Sequence, residues 1–148
     1  MADWTVVGLG NPMRGDDAVG AAVAARTRDL PGVERVVEHA DPLDLVDLLH
    51  EARPLVLVDA TLGGGDPGAV TVWEPNTRGL PRPRVGASSH GFGAETAVEL
   101  AMALGARPGR LVFVGVEAER FDGDGMSPAV AGAVDLAVAA VAGVVGNA

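Results

Sequence analysis

Three residue types with distinctive chemistry are missing from this chain of 148 residues, which contains no cysteine, no lysine and no tyrosine. Without cysteine the chain cannot form a disulfide, a cysteine-rich zinc site, an iron–sulfur cluster or a thiol nucleophile. Without lysine it cannot form a Schiff base or a Walker A phosphate loop. Catalysis must therefore use Asp, Glu, Arg, Thr, three serines, three histidines or a metal ion.

Positive charge is also scarce. Eleven arginines face twenty Asp and Glu residues, so the formal net charge is -9. A nucleic-acid surface needs a basic footprint, and none is predicted here. With 48% hydrophobic and 21% charged residues, the composition is that of an ordinary globular protein. The length predicts a single domain over residues 1–148.

Neither end of the chain predicts insertion into a membrane. The first residues, Met-Ala-Asp-Trp, have no basic region followed by an apolar stretch, so we expect no secretory signal and a cytoplasmic monomer. Residues 128–145 are apolar enough to raise the question of a membrane span, but Asp135 would cost about 2.5 to 3.5 kcal/mol there. We predict a buried helix instead.

Strands and helices alternate along the predicted chain. We expect strands at residues 4–9, 33–39, 55–60, 69–73 and 111–116, and helices at about 17–30, 42–52, 94–104 and 128–145. Helix starts are signalled by Asp16 or Asp17, by Asp41 before Pro42, and by Ser127 before Pro128. This order predicts a three-layer α/β/α sandwich with a mostly parallel, mixed five-stranded sheet.

The polar residues that can carry chemistry follow the predicted strands. Asp16 and Asp17 come after the first strand, Asp59 ends the apolar run Leu-Val-Leu-Val, and His90 lies in the long loop at residues 75–92. Ligands in such sheets gather beyond the carboxyl ends of the strands. Two carboxylates and one imidazole there would suit zinc or nickel. We assign structural roles to His39 and His50.

Two familiar motifs fail on inspection. Gly8-Leu9-Gly10 is typical of a dinucleotide fingerprint, but Met13 stands at the third glycine position, and two carboxylates would repel a pyrophosphate. The run Gly86-Ala87-Ser88-Ser89-His90 departs from the G-x-S-x-G nucleophile elbow at its last position. Neither nucleotide binding nor serine hydrolysis is expected.

Four motifs follow one another in a characteristic order. They are Gly8-Leu9-Gly10-Asn11 with Asp16-Asp17 after four further residues, Val58-Asp59-Ala60, Ser88-Ser89-His90, and the stretch from Gly115-Val116-Glu117 to Met126-Ser127-Pro128. The whole set resembles the nickel–iron hydrogenase maturation endopeptidases. Residues 39–45 depart from that family because they lack the Gly-rich segment expected after the second strand.

This resemblance implies an enzyme that removes the C-terminal tail of the hydrogenase large-subunit precursor after nickel insertion. It implies that Asp17, Asp59 and His90 are the catalytic and metal-recognising residues, with the nickel carried by the substrate and replaceable by zinc or cadmium in vitro. Asp16 and Asn11 are expected next to this site, as a helix cap or as hydrogen-bonding support.

Two alternatives stay open at this point. The same Gly-Leu-Gly-Asn-Pro opening resembles peptidyl-tRNA hydrolases, although those enzymes follow it with a tyrosine and a catalytic histidine that this chain lacks. A nickel-binding chaperone without enzymatic activity is the other, because three metal ligands do not by themselves establish hydrolysis.

Overall fold

The structure, a computed structural model, describes residues 3–74 and 94–146. The strands in these ranges are β1 (Trp4–Gly8), β2 (Val33–Val37), β3 (Leu55–Thr61), β4 (Val70–Trp73) and β5 (Leu111–Glu117). The helices are α1 (Val19–Ala25), α2 (Pro42–Leu49), α3 (Ala94–Ala103), α4 (Pro128–Ala131) and α5 (Val134–Gly146), and a 3₁₀ turn (Gly15–Ala18) precedes α1. The predicted loop at residues 75–92 lies outside the described residues.

The five strands form one sheet in the order β2-β1-β3-β5-β4. All neighbours are parallel except β4, which runs antiparallel to β5. The predicted mixed sheet is thus confirmed, since the Gly-rich turn after β3 leads directly into β4 without a helix. The central strand is β3, and every one of its residues is buried, as its continuous Leu and Val run predicts.

Helices cover both faces of the sheet and create two hydrophobic cores. On one face, α1, α4 and α5 pack against alternate strand residues such as Val6, Val56 and Val114. On the other face, α2 and α3 pack against Val7 and Leu57 and their neighbours. This alternation follows from the two-residue period of a strand. The predicted three-layer α/β/α sandwich is confirmed.

The first predicted helix is shorter than expected. It was expected over residues 17–30, but the chain first makes the 3₁₀ turn and then only α1, which ends at Ala25. The backbone N–H and the hydroxyl of Thr27 both donate to the Ala24 carbonyl oxygen, at 3.0 and 2.8 Å. A side chain that bonds its own backbone in this way competes with helix continuation.

The second helix begins as predicted and ends three residues earlier. Asp41 and Asp44 form a reciprocal capping box, with Pro42 in the first turn. At the other end, His50 Nδ1 lies 2.9 Å from the Val46 carbonyl oxygen. Ala52 then adopts a left-handed φ of 59° that cannot continue the helix. The contact between His50 and the Val46 carbonyl fits the structural role predicted for His50.

The last predicted helix forms as two pieces, α4 and α5, separated at Gly132. The Ala133 N–H donates to the Val130 carbonyl, three residues back, which tightens the chain at this point. The valine stripe nevertheless continues across the break, and Val130, Val134 and Val141 are buried in the core. By length and composition alone, Pro128–Gly146 could also cross a membrane; here its valines pack against the sheet.

Candidate functional site

The candidate site lies where the sheet reverses its winding direction. The chain passes from β1 to β2 on one side and then returns to place β3 on the other side of β1. The crossovers therefore diverge at the carboxyl ends of β1 and β3. In open α/β sheets this is where ligands bind.

Asp59 occupies the β3 side of this crevice. The pairing of β1 with β3 ends at Gly8 and Val58, so Asp59 is the first β3 residue beyond the end of β1. Its side chain is buried, and its Oδ1 accepts a hydrogen bond from the Ala60 N–H at 2.8 Å. Burial, and then the nearby Asp17 carboxylate, raise the pKa of Asp59 well above its ordinary value.

Asp17 occupies the β1 side of the crevice. It lies in the 3₁₀ turn, is buried, and accepts a hydrogen bond from the Asn11 N–H at 2.8 Å. The Asn11 side chain accepts in turn from the Met13 N–H, which fixes the loop. Burial raises the pKa of Asp17, although this hydrogen bond and the charges of Arg14 and His39 oppose the increase.

Glycine at position 10 makes this approach possible. Gly10 has a φ of +95°, and a Cβ there would lie 2.6 Å from Asp17 Oδ1 and 2.5 Å from the Asp17 carbonyl oxygen. A side chain at this position would thus both strain the backbone and displace Asp17. The second glycine of the Gly-x-Gly-Asn motif therefore leaves space for the Asp17 carboxylate, and not for a phosphate.

Of the two roles predicted for Asp16, the structure shows hydrogen-bonding support and not the helix cap. This residue caps no helix: the turn before α1 has no side-chain cap, and Asp16 points into the protein, fully buried. Its carboxylate accepts hydrogen bonds from the N–H groups of Glu119, Arg120 and Ser127, at 2.6 to 3.0 Å, and from the Ser127 hydroxyl at 2.9 Å. The predicted cap is wrong because these donors, which lie more than 100 residues away in sequence, use both oxygens of the carboxylate.

The hydrogen bonds that Asp16 accepts determine the direction in which its pKa moves. Burial by itself would raise the pKa of this carboxyl, but the hydrogen bonds from Arg120, Ser127 and Glu119 outweigh it and lower the pKa below its ordinary value. The Ser127 hydroxyl is used here, so Ser127 stands at the start of α4 without capping it through its side chain, contrary to expectation. Asp16 thus fastens the segment between β5 and α4 to the turn that carries Asp17.

Glu117 makes a second fastening that the sequence did not reveal. This buried carboxylate accepts from the Thr61 hydroxyl at 2.8 Å and from the N–H groups of Gly63 and Gly64 at 3.1 Å. It holds the turn after β3 against the end of β5. No sequence signal beyond its place in the C-terminal motif pointed to this role.

The third predicted ligand, His90, lies outside the described residues, so its meeting with Asp17 and Asp59 stays a prediction. Within residues 3–74 and 94–146, no group of three or more His, Asp or Glu side chains could hold a metal ion. His39, predicted to be structural, follows β2 at the same edge and is near enough to influence Asp17 electrostatically. Only the pairing of β1 with β2 reveals this proximity.

The two adjacent aspartates should differ sharply in their effect on stability. We expect Asp16→Asn to destabilise the fold by about 3 kcal/mol, because the buried N–H donors then face an amide that accepts poorly. That loss corresponds to a melting temperature lower by roughly 6 to 12 °C. Asp17→Asn, the matched control, should lower it by no more than about 3 °C. Thermal melts that fall equally for both variants would contradict the assignment.

The buried carboxylate of Asp59 should lower the free energy of unfolding of the wild-type protein as the pH rises. Because its pKa is raised in the folded state, the unfolded chain releases its proton first, and wild-type stability falls as the pH rises above about 4. Asp59→Asn removes this loss. We expect the variant to gain about 1 to 3 kcal/mol at high pH and little near pH 4. Melting temperatures of both proteins from pH 4 to 9 measure it; a constant difference across the range contradicts it.

A family model and several solved structures are similar to this chain. The family model for hydrogenase maturation proteases, HycI, matches residues 33–144, more than half of the chain. No curated protein sequence matches.

Solved structures share the fold. The hydrogenase maturating endopeptidase HybD from Escherichia coli superposes with a TM-score of 0.74 at 21% identity, covering 94% of this chain and 89% of that one. The HybD protease from Thermococcus kodakarensis gives 0.75 at 22% identity, with 97% and 99% covered. HycI from the same archaeon gives 0.72 at 22% identity, with 97% and 92% covered. On the strength of the family match, this chain belongs to the hydrogenase maturation proteases, a family of endopeptidases.

Proposed function

We propose that this protein removes the C-terminal tail of a nickel–iron hydrogenase large-subunit precursor after nickel insertion. Asp17, Asp59 and His90 would recognise the nickel that the substrate carries. The observation that supports this most directly is the presence of two buried carboxylates at the switch point, close enough for the charge of Asp17 to raise the pKa of Asp59. The cytoplasmic location is part of the same proposal.

The chemistry of the pair suits a cation better than a purely structural role. In the described part of the chain, Asp17 and Asp59 each accept a hydrogen bond from one backbone N–H, whereas Asp16 accepts three from backbone N–H groups and one from the Ser127 hydroxyl. A pair of desolvated carboxylates is stabilised in its ionised form by a divalent cation. With an imidazole from His90, the donor set would be the mixed oxygen and nitrogen type that nickel and zinc accept.

Family membership also bears on the alternatives. It favours a protease over a peptidyl-tRNA hydrolase-like enzyme. A chaperone would change the nickel content of the precursor and leave its mass unchanged, whereas a protease shortens the chain.

Divalent nickel, zinc or cadmium should bind weakly to the free protein. Weak binding is expected because three ligands leave coordination positions for the substrate to fill. Calorimetric titration should show at least a tenfold loss of affinity in Asp59→Ala and in His90→Ala, a loss no smaller than that for supporting residues around metals. Equal affinity in wild type and both variants would falsify the ligand assignment.

Cleavage itself is tested by mass spectrometry of the nickel-loaded precursor after incubation. Wild type should convert it to a chain shortened at its C-terminus, while Asp17→Asn and Asp59→Asn leave it intact because the amides lose the charge that attracts the cation. Asp66→Asn is the matched control, since Asp66 is an exposed carboxylate in the turn after β3. An unchanged precursor mass with wild type would refute the protease activity.

A further inference from the structure

Three large apolar side chains are exposed on the segments that leave the carboxyl ends of β1, β2 and β3. Met13 follows β1 and is 84% exposed, Leu43 lies in the first turn of α2 after β2 and is 66% exposed, and Leu62 follows β3 directly and is 45% exposed. We call these three residues the apolar rim. The three strands are adjacent and parallel, so they lie side by side across roughly 10 Å of the sheet, and all three segments start from its carboxyl edge.

Each segment of the apolar rim is held in place by hydrogen bonds. Asn11 Oδ1 accepts from the Met13 N–H, and the Asp41 capping box fixes the turn of α2 that contains Leu43. Glu117 binds the N–H groups that follow Leu62. A backbone that is already fastened in this way loses little further conformational freedom when a partner covers it.

The apolar rim borders the crevice that contains the two carboxylates. The Met13 loop is the same loop whose Asn11 N–H donates to Asp17, and Leu62 lies three residues after Asp59. The loop after β2 is tied to the end of β1 by the Ala40 N–H, which donates to the Gly8 carbonyl at 2.9 Å. The three segments that carry the apolar rim therefore adjoin the backbone that positions Asp17 and Asp59.

We propose that the apolar rim is the docking surface for the body of the large-subunit precursor, next to its C-terminal tail. This inference rests on the proposed function and names how that substrate is selected. The occupant would present an apolar patch beside the tail. Recognition would then depend on the folded precursor as well as on its nickel, which suits a protease that must ignore other proteins.

The chain offers a matched control for this proposal. Met102, Leu104 and Leu136 are also exposed, and they give one methionine and two leucines of comparable exposure. The first two lie at the end of α3, near the amino ends of the strands, because α3 leads into the start of β5. Leu136 lies in α5 next to Asp135, which pairs with Arg26 after the end of α1. All three thus lie away from the crevice.

The experiment compares the triple variant Met13→Ser, Leu43→Ser, Leu62→Ser with the triple variant Met102→Ser, Leu104→Ser, Leu136→Ser. The dissociation constant for the nickel-loaded precursor, and the KM and kcat of cleavage, are measured for both and for wild type. We expect the rim variant to bind the precursor at least about tenfold more weakly, with a raised KM and an unchanged kcat. The control variant should stay within about twofold of wild type, as scattered surface apolar residues do.

Several results would overturn the proposal. These are equal affinity of the rim and control variants, a lower kcat at unchanged KM, or a wild-type dimer that the rim variant disrupts without losing affinity for the precursor. The single variant Met13→Ser changes the most exposed position of the apolar rim and should already weaken binding of the precursor. It tests the proposal even if the triple variant misfolds. If wild type binds the precursor without shortening it, the proposed function fails while the docking proposal is still measured by the dissociation constants.

Discussion

The free-energy cost of burying a carboxylate is the main physical constraint on this structure. In the part of the chain that the structure describes, the buried Asp and Glu side chains are Asp16, Asp17, Asp59 and Glu117, and all four lie at the carboxyl edge of the sheet. A buried charge needs hydrogen bonds or an opposite charge to be tolerated. Among the described residues, Asp16 and Glu117 each accept hydrogen bonds from several donors, while Asp17 and Asp59 each accept one from a single backbone N–H. This inequality separates the supporting carboxylates from the candidate reactive ones.

The supporting carboxylates decide the shape of the crevice. Asp16 ties the segment after β5 to the turn after β1, and Glu117 ties the turn after β3 to the end of β5. Loops at a ligand-binding edge are thereby fixed to the sheet by charge-assisted hydrogen bonds, the stronger class of hydrogen bond. Asp17 and Asp59, the candidate pair, can then have few hydrogen-bond donors among the described residues while the surrounding backbone keeps its shape. A divalent cation would stabilise such a pair of carboxylates.

Close packing of backbone at the same edge explains the glycine-rich first motif. A Cβ at Gly10 would collide with Asp17, and a Cβ at Gly20 would lie 2.3 Å from the Leu9 carbonyl oxygen and 2.5 Å from that of Val58. The start of α1 therefore sits directly on the ends of β1 and β3. The Gly8-Leu9-Gly10 motif superficially predicts phosphate binding. Here it instead brings the 3₁₀ turn that carries Asp17 against the central strand, and this places Asp17 beside Asp59.

The sequence by itself determined the fold class, the mixed sheet, the central position of β3 and the Asp41 cap, because each follows from local periodicity or local hydrogen bonding. The places after strands also pointed to Asp16, Asp17 and Asp59 as candidates, and the resemblance to the protease family favoured Asp17 over Asp16. Only the tertiary structure decided that Asp16 binds the segment from Glu119 to Ser127, that His39 lies near Asp17, and that the last helix breaks at Gly132. Asp16 and its donors are more than 100 residues apart, so no local pattern could pair them. The two adjacent aspartates are both buried, and their roles differ because each meets different hydrogen-bond donors.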